Sequence, residues 1–340
     1  MTDPSGDLVI KPCTQPEIDF YQETVASHDE FAALLPTFMG TLQLGKSKQL
    51  EETVALAQSQ QGGHAIVMPV DPEEVDNAGK SLVDAPRTRG KPLETELAVV
   101  LENITAGFKR PNILDVKLGK RLWADDAPDA KRQKLDKLAS ETTSGSLGFR
   151  VAGMKAWQSN RSHIYDKYYG RERTAENVFQ AFQDLFDADP HDGDLDSFDD
   201  VIDGVVEAVE EIETTIADQE SRMYSSSLLL VYEGDRSARK AALETAFSKS
   251  KARDSATSLP NGFNAVNDED VDADDDDDDD DVEQARDQKI FDIRVIDFAH
   301  AAWTPGLGPD ENMLQGIRSV RDILKDMAKR AHERRERLVI

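Results

Sequence analysis

The sequence predicts an α+β chain arranged in two lobes, on three observations. Short apolar runs with alternating polar residues recur at 6–11 (GDLVIK), 96–103 (ELAVVLEN), 111–119 (PNILDVKLG), 225–234 (SSSLLLVYEG) and 291–298 (FDIRVIDF), the pattern of strands. Segments 198–216 and 312–337 instead repeat at the helical interval. At 340 residues a single core would be at its usual size limit, which favours two lobes or one large domain. The crossing at 103–111, through Gly107, Lys109 and Arg110, is the expected hinge. It divides the chain into 1–105, with an insertion at about 46–91, and 106–340.

Each element has a local reason. Residues 6–11 read as a turn feeding a β-branched strand that ends on Lys11, and Thr14 with Glu17 three positions on has capping-box spacing for a following helix. A lysine at a strand end followed by a glutamate on a helix can be an ion-paired phosphate-binding lysine or an ordinary strand–helix junction. Residues 46–91 show no sustained period and read as a long loop or insertion. Its Gly62-Gly63-His64 lacks the flanking strand and helix that a phosphate loop needs.

The stretch 111–123 (PNILDVKLGKRLW) carries Asp115 and Lys117 two positions apart, so both side chains leave an extended backbone on one face. Gly119 permits a bend there. Two readings stand at this point: an edge strand with a surface ion pair, or a carboxylate and an ammonium aimed into one site. Residues 127–139 have helical composition, with Lys131, Lys134 and Leu138 on one side, and Lys167 follows in DKYYGR. In 198–216, Val201, Ile202, Val205, Val206, Val209, Ile212 and Ile216 form an apolar face without evident chemistry.

Charge is unevenly placed. The net charge is -27, of which residues 268–283 supply thirteen carboxylates. Such a run cannot bury itself, so 248–286 is expected to be a disordered acidic insertion. Residues 109–137 hold nine Lys or Arg against five Asp. A basic island in an acidic chain argues against direct nucleic-acid binding and for a small polyanion held locally. One cysteine, Cys13, rules out an internal disulfide framework and fits a reducing compartment. The start has no apolar signal region and no stretch is long enough to span a membrane.

Lys11 at one strand end, Asp115 with Lys117 on another, and Asp297 before His300 after a third offer the parts that phosphoryl transfer needs: cations on phosphate, a carboxylate for magnesium, and groups to hold an acceptor. The chain has no GxxxxGK[ST] and no HRD or APE, so neither a P-loop enzyme nor a standard protein kinase is expected.

Taken together, PNILDVKLG, SSSLLLVYEG and IDFAH (296–300), supported by IKP (10–12), GFRVAGM (148–154) and GLGPDENML (306–314), resemble the inositol polyphosphate kinase family, and in the family's order. Within it, the basic helix after KLGKRLW, ETTSGSLGFRVAGMK and the acidic insertion are most similar to the fungal multikinases. The hexakisphosphate kinases are the nearest competitor.

The resemblance implies a two-lobed fold similar to protein kinases, with an antiparallel N-lobe sheet and a larger mixed α/β C-lobe. It implies ATP and Mg2+ as cofactors, and phosphorylation of inositol trisphosphate and tetrakisphosphate hydroxyls toward pentakisphosphate. By the same resemblance Lys11 meets ATP phosphates, Glu102 and Ile104 the adenine, and Asp115 the ribose. Asp297 and Ser227 sit at the metal, with Asp297 and Lys117 catalytic. Lys117, Lys131, Lys134, Lys167 and His300 face the acceptor. A monomer in nucleus and cytoplasm is expected.

One departure is that the family's glycine–histidine segment is not among the ten residues before Lys11, so the part of the N-lobe that covers the phosphates is expected to be missing. A different class of reading makes the acidic run a scaffold for transcription or chromatin factors.

Overall fold

In the computed structural model, residues 2–43, 95–158, 161–186, 196–257 and 289–339 are described. The insertion predicted at 46–91 lies outside them, as does 258–286 of the acidic segment. An antiparallel sheet of order β1-β3-β2 opens the chain, built from β1 (Leu8–Pro12), β2 (Phe38–Gln43) and β3 (Leu97–Glu102). Between β1 and β2 lie α1 (Gln15–Ser27) and the single turn α2 (Asp29–Ala32). Thr14 is the N-cap of α1, but the capping box does not form: its hydroxyl has no hydrogen-bond partner. Glu17 turns away to Lys11 instead, because a charged partner outcompetes a backbone amide for a buried carboxylate.

The turn 103–110 leads into β4 (Pro111–Leu118). Then follow α3 (Asp129–Ser140), α4 (Thr143–Leu147), β5 (Phe149–Gln158), β6 (Arg161–Tyr165), α5 (Lys167–Arg171), α6 (Phe179–Phe186) and α7 (Asp196–Ala217). The chain continues through β7 (Ser221–Met223), β8 (Ser227–Glu233), α8 (Arg236–Thr257), β9 (Phe291–Ile296), β10 (Ala301–Trp303) and α9 (Glu311–Val339). A five-stranded antiparallel sheet runs β6-β5-β4-β8-β9, and β7 pairs with β10.

Two expectations change. The stretch 111–118 is the central strand of the large sheet, paired on both sides, so the edge-strand reading fails: both rows of its backbone groups are used in ladders. Residues 248–257, expected to begin the disordered segment, continue helix α8. The run RSARKAALETAFSKSKARDSAT is rich in alanine, lysine and arginine, which lose little freedom in a helix.

β4 buries Asn112, Leu114, Val116 and Leu118 on one face and turns Ile113, Asp115 and Lys117 to the other. Under the buried face, α7 and α9 pack with Val205, Val209 and Ile212 against Ile317, Val320 and Leu324, all within one buried cluster. That cluster also takes in Phe20, Tyr21 and Phe31, so the N-terminal helices share a core with the large sheet. Phe20 stacks on Phe298 with ring centres 4.9 Å apart and on Trp303 at 5.3 Å. Among the described residues no helix is long and apolar enough to cross a membrane.

The buried carboxylate of Glu233 holds the turn to the sheet. It accepts from the amides of Lys109 (2.6 Å), Arg110 (2.9 Å) and Asp235 (2.7 Å). Removing it strands three backbone donors in a desolvated position. Glu233→Ala is expected to lower unfolding free energy by about 3 kcal/mol in urea titrations; a loss below about 0.5 kcal/mol would show that the turn is anchored elsewhere.

Candidate active site

Lys11, Lys117 and Asp297, singled out in the sequence, converge where the first sheet faces the central strand. Asp297 lies one residue beyond β9, with φ +69°. This left-handed backbone is uncommon for a residue other than glycine, and aspartate tolerates it better than most. Ser225, at φ +59°, makes the same kind of turn just before β8, and the two turns adjoin: Ser226 Oγ donates to the Asp297 carbonyl at 3.0 Å.

The aimed carboxylate takes two ammonium groups. Lys11 Nζ reaches Asp297 Oδ1 at 2.9 Å and Glu17 Oε1 at 2.8 Å, while Lys117 Nζ reaches Asp297 Oδ2 at 2.7 Å. Lys117 therefore pairs with Asp297, not with its sequence neighbour Asp115. The ion pair between Lys11 and Glu17 that one of the two readings required is formed. The group is a partly covered cluster at a cleft: side-chain exposure is 15% for Lys117 and 37% for Asp297.

Burial would raise the Asp297 pKa, but Lys117 and Lys11, with the hydrogen bonds they donate, outweigh it and hold the group at about 2. Burial also works against the charge on Lys11, and Asp297 with Glu17 reverse that and raise its pKa. Asp115 goes the other way. Burial pushes its pKa up, Lys117, Ser227 and Arg150 oppose that, and Asp297 adds to the rise. Asp115 Oδ1 and Ser227 Oγ are both buried without a well-formed hydrogen bond. Opposite Asp115 and Val116 the ladder passes over Ala152 of β5, a bulge of the kind common beside functional sites.

The basic wall has a different make-up. Lys131 on α3 reaches His300 Nε2 at 3.2 Å, across 169 residues. With burial first and Lys131 second lowering the His300 pKa, the neutral ring accepts and the ammonium donates. Lys134 is exposed one turn further along α3, outside this contact. Lys167 opens α5, its ammonium 5.3 Å from the Tyr168 ring centre.

Near the turn, Ile104 is buried, and the Glu102 carboxylate is taken by Thr37 Oγ1 (2.8 Å) and Lys289 Nζ (3.3 Å). At the far end of β4, Gly119 adopts φ +94°, with the Asn312 side chain 2.6 Å from where a Cβ would sit.

Two functional candidates escaped sequence reasoning. Asn312 accepts from the amides of Lys120 (2.9 Å) and Arg121 (2.7 Å), fixing the basic loop after Gly119; its only signal was membership in GLGPDENML. Arg150 stands opposite Lys117 in the β4–β5 pairing, with no signal beyond lying in GFRVAGM.

The site suits a nucleotide and a divalent ion. Asp115 Oδ1 lacks a well-formed hydrogen bond, and a sugar hydroxyl is the kind of donor such an acceptor takes. No group of three or more His, Cys, Asp or Glu side chains able to hold a metal exists among the described residues. Asp297 follows Ile296, the cross-strand partner of Ser227, and a carboxylate with a hydroxyl is a sparse oxygen set of the kind that fits magnesium when phosphates and water complete its shell.

Fold and site together define an α+β protein in which one carboxylate is shared by two ammonium groups between a small antiparallel sheet and a larger body. The sequence profile of the family described as inositol polyphosphate kinase matches residues 98–325. The inositol polyphosphate multikinase of Saccharomyces cerevisiae is 32% identical over 95% of this chain and 93% of its own. Inositol hexakisphosphate kinase 3 of Mus musculus is 28% identical over 67% of this chain and 50% of its own. The crystal structure of the S. cerevisiae inositol phosphate multikinase Ipk2 in complex with ADP and Mn2+ aligns at a TM-score of 0.59 and 25% identity, covering 95% of this chain and 99% of that one. The chain belongs to the inositol polyphosphate kinase family.

The lysine clamp has a pH signature. With a folded-state pKa near 2 against an ordinary 3.8, Asp297 contributes stability that is present above about pH 4 and lost as pH falls toward 2. The difference in melting temperature between wild type and Asp297→Asn is therefore expected to shrink between about pH 5 and pH 2. A difference constant over that range would mean the carboxylate charge is not what the lysines hold.

Proposed function

We propose that this protein transfers the terminal phosphate of ATP to ring hydroxyls of inositol trisphosphate and tetrakisphosphate, toward the pentakisphosphate. The observation that carries the reading is the single carboxylate, Asp297, held at once by Lys11 from the first sheet and Lys117 from the central strand. A nucleotide and an acceptor approaching from either side would meet over it.

In this reading Asp297 and Ser227 would hold a magnesium ion, which would supply charge neutralisation for the nucleotide phosphates. Lys11, kept charged and aimed by Glu17, binds those phosphates. Asp115 accepts a ribose hydroxyl on its free oxygen, and the turn around Glu102 and Ile104 meets the base. Lys117 donates to the acceptor beside the transferring group. Lys131 and His300, with Lys134 and Lys167 further out, receive ring phosphates.

Lysine ammonium groups bind phosphate as adaptable point charges, which suits acceptors presented in more than one orientation. In transfer, the acceptor oxygen forms a bond to the terminal phosphorus as the bridging bond breaks and ADP leaves. The transition state is loose, so positioning and charge neutralisation are what the chain must supply. Support comes from the family membership and the ADP- and Mn2+-bound neighbour.

Chromatography of products from ATP with inositol trisphosphate is expected to show tetrakis- and pentakisphosphates. Pyrophosphates made from hexakisphosphate, with trisphosphate untouched, would move the protein to the hexakisphosphate kinase reading. Lys117→Ala is expected to lower acceptor kcat/KM by about a hundredfold with a small change in the KM for ATP. An unchanged acceptor kcat/KM would remove Lys117 from the site.

A further inference from the structure

Arg150 is a half-buried cation that the fold leaves without a carboxylate partner among the described residues. It is the cross-strand partner of Lys117 in the antiparallel β4–β5 pair, so the two side chains leave one face of the sheet with Cβ atoms ~5 Å apart. Of the five donors on its guanidinium, one is met: Nη1 donates to Ser144 Oγ at 3.0 Å. Among the described residues no carboxylate forms an ion pair with it, and Asp115 acts on it only at longer range.

A second cation is pressed toward the first. Helix α5 lies on β5 so closely that a Cβ at Gly170 would sit 1.9 Å from the Val151 carbonyl oxygen. Glycine is what allows that approach, which brings α5, with Arg171 next in the chain, onto the strand that carries Arg150. Burial first and Arg171 second depress the Arg150 pKa to about 10, with Asp115 opposing. Arg171 is exposed, its guanidinium 5.6 Å from the Tyr168 ring centre, and Lys167 approaches the same ring.

Burying a cation next to another cation is costly unless an anion joins them. A guanidinium with a purely structural part is met by a carboxylate or by carbonyls on most of its donors, and Arg150 has neither. What would satisfy it is an anion with several oxygens approaching from the Lys117 side. A planar fork binds such a group through two parallel hydrogen bonds.

We infer that Arg150 and Arg171, with Lys117 alongside, form a phosphate subsite that takes one ring phosphate of the acceptor. The inference rests on the kinase reading above and deepens it: to the adaptable lysines it adds one rigid, bidentate contact that fixes a single phosphate while the rest of the ring is free to be presented differently.

The test uses the full chain and the variants Arg150→Gln and Arg171→Gln. Binding of inositol tetrakisphosphate and of hexakisphosphate is read by thermal shift without ATP, and KM for ATP and for inositol trisphosphate by steady-state kinetics. Arg150→Gln is expected to weaken polyphosphate binding by about tenfold or more, and Arg171→Gln by about threefold, with the KM for ATP within about twofold of wild type. The ligand-free melting temperature of Arg150→Gln should hold or rise, because an uncompensated charge is removed.

Unchanged polyphosphate binding in both variants would overturn the subsite. So would a raised KM for ATP with acceptor binding intact, which would instead make Arg150 a positioning residue for Asp115. Should Arg150→Gln fail to fold, Arg150→Lys keeps the charge but loses the fork, and with the exposed Arg171→Gln it carries the same comparison. Failure of the kinase reading is seen separately, as absence of ADP release by wild type with inositol trisphosphate, while the thermal shifts report the subsite without turnover.

Discussion

The contact on which the rest of the site depends is the carboxylate of Asp297 shared between Lys11 and Lys117. It joins two strands from different sheets through one anion, in a place where burial alone would have favoured a neutral acid. Two cations at 2.9 and 2.7 Å reverse that preference and keep the charge. Glu17 supplies the remaining negative charge that Lys11 needs, so the group approaches electrical balance without a ligand. Any cation and polyanion that enter must exchange partners with these four side chains. The cluster is thus a frame for ligands as well as a tie between the sheets.

The frame holds its shape because its supports are regular and buried. β4 is paired on both sides, and its inner face, Leu114, Val116 and Leu118, rests in the same apolar cluster as α7 and α9. Phe20 and Phe31 from the N-terminal helices pack on Phe298, one residue past Asp297. The carboxylate is therefore set by an aromatic core on one side and by the left-handed turn on the other. The irregular features stand at the site itself: the β5 bulge opposite Asp115, the positive φ at Ser225 and Asp297, and the buried oxygens of Asp115 and Ser227 without a well-formed hydrogen bond. Local departures from regular structure concentrate where ligands are to be met.

Charge follows the same division. Lysines supply the ammonium groups that hold Asp297. The guanidinium groups of Arg121 and Arg132 instead lie against the Trp123 ring, with centres 3.9 and 4.8 Å away, where a flat cation packs well. Arg150 belongs to neither set, having no ring and no carboxylate, and this isolation sets it apart in an otherwise well-paired sheet.

Much of this was legible in the sequence. Strand periodicity located β1, β3, β4, β8 and β9, helical spacing located α7 and α9, and Lys11, Asp115, Lys117 and Asp297 stood out at strand ends and alternations. These are local properties, set by which face a side chain takes and by what the next few residues allow. Partner choice was not local. That Asp297 would be taken by lysines 286 and 180 residues away, that Glu17 would leave its cap for Lys11, and that 111–118 would be central and not an edge all depend on strand order and register. Arg150 had no pattern at all, because a half-buried cation without a carboxylate partner can be recognised only once its surroundings are known. The sequence by itself determined which residues carry charge and on which face of each strand they sit. Only the tertiary structure decided which charges meet, because Coulomb and hydrogen-bond energies depend on distances that chain spacing does not set.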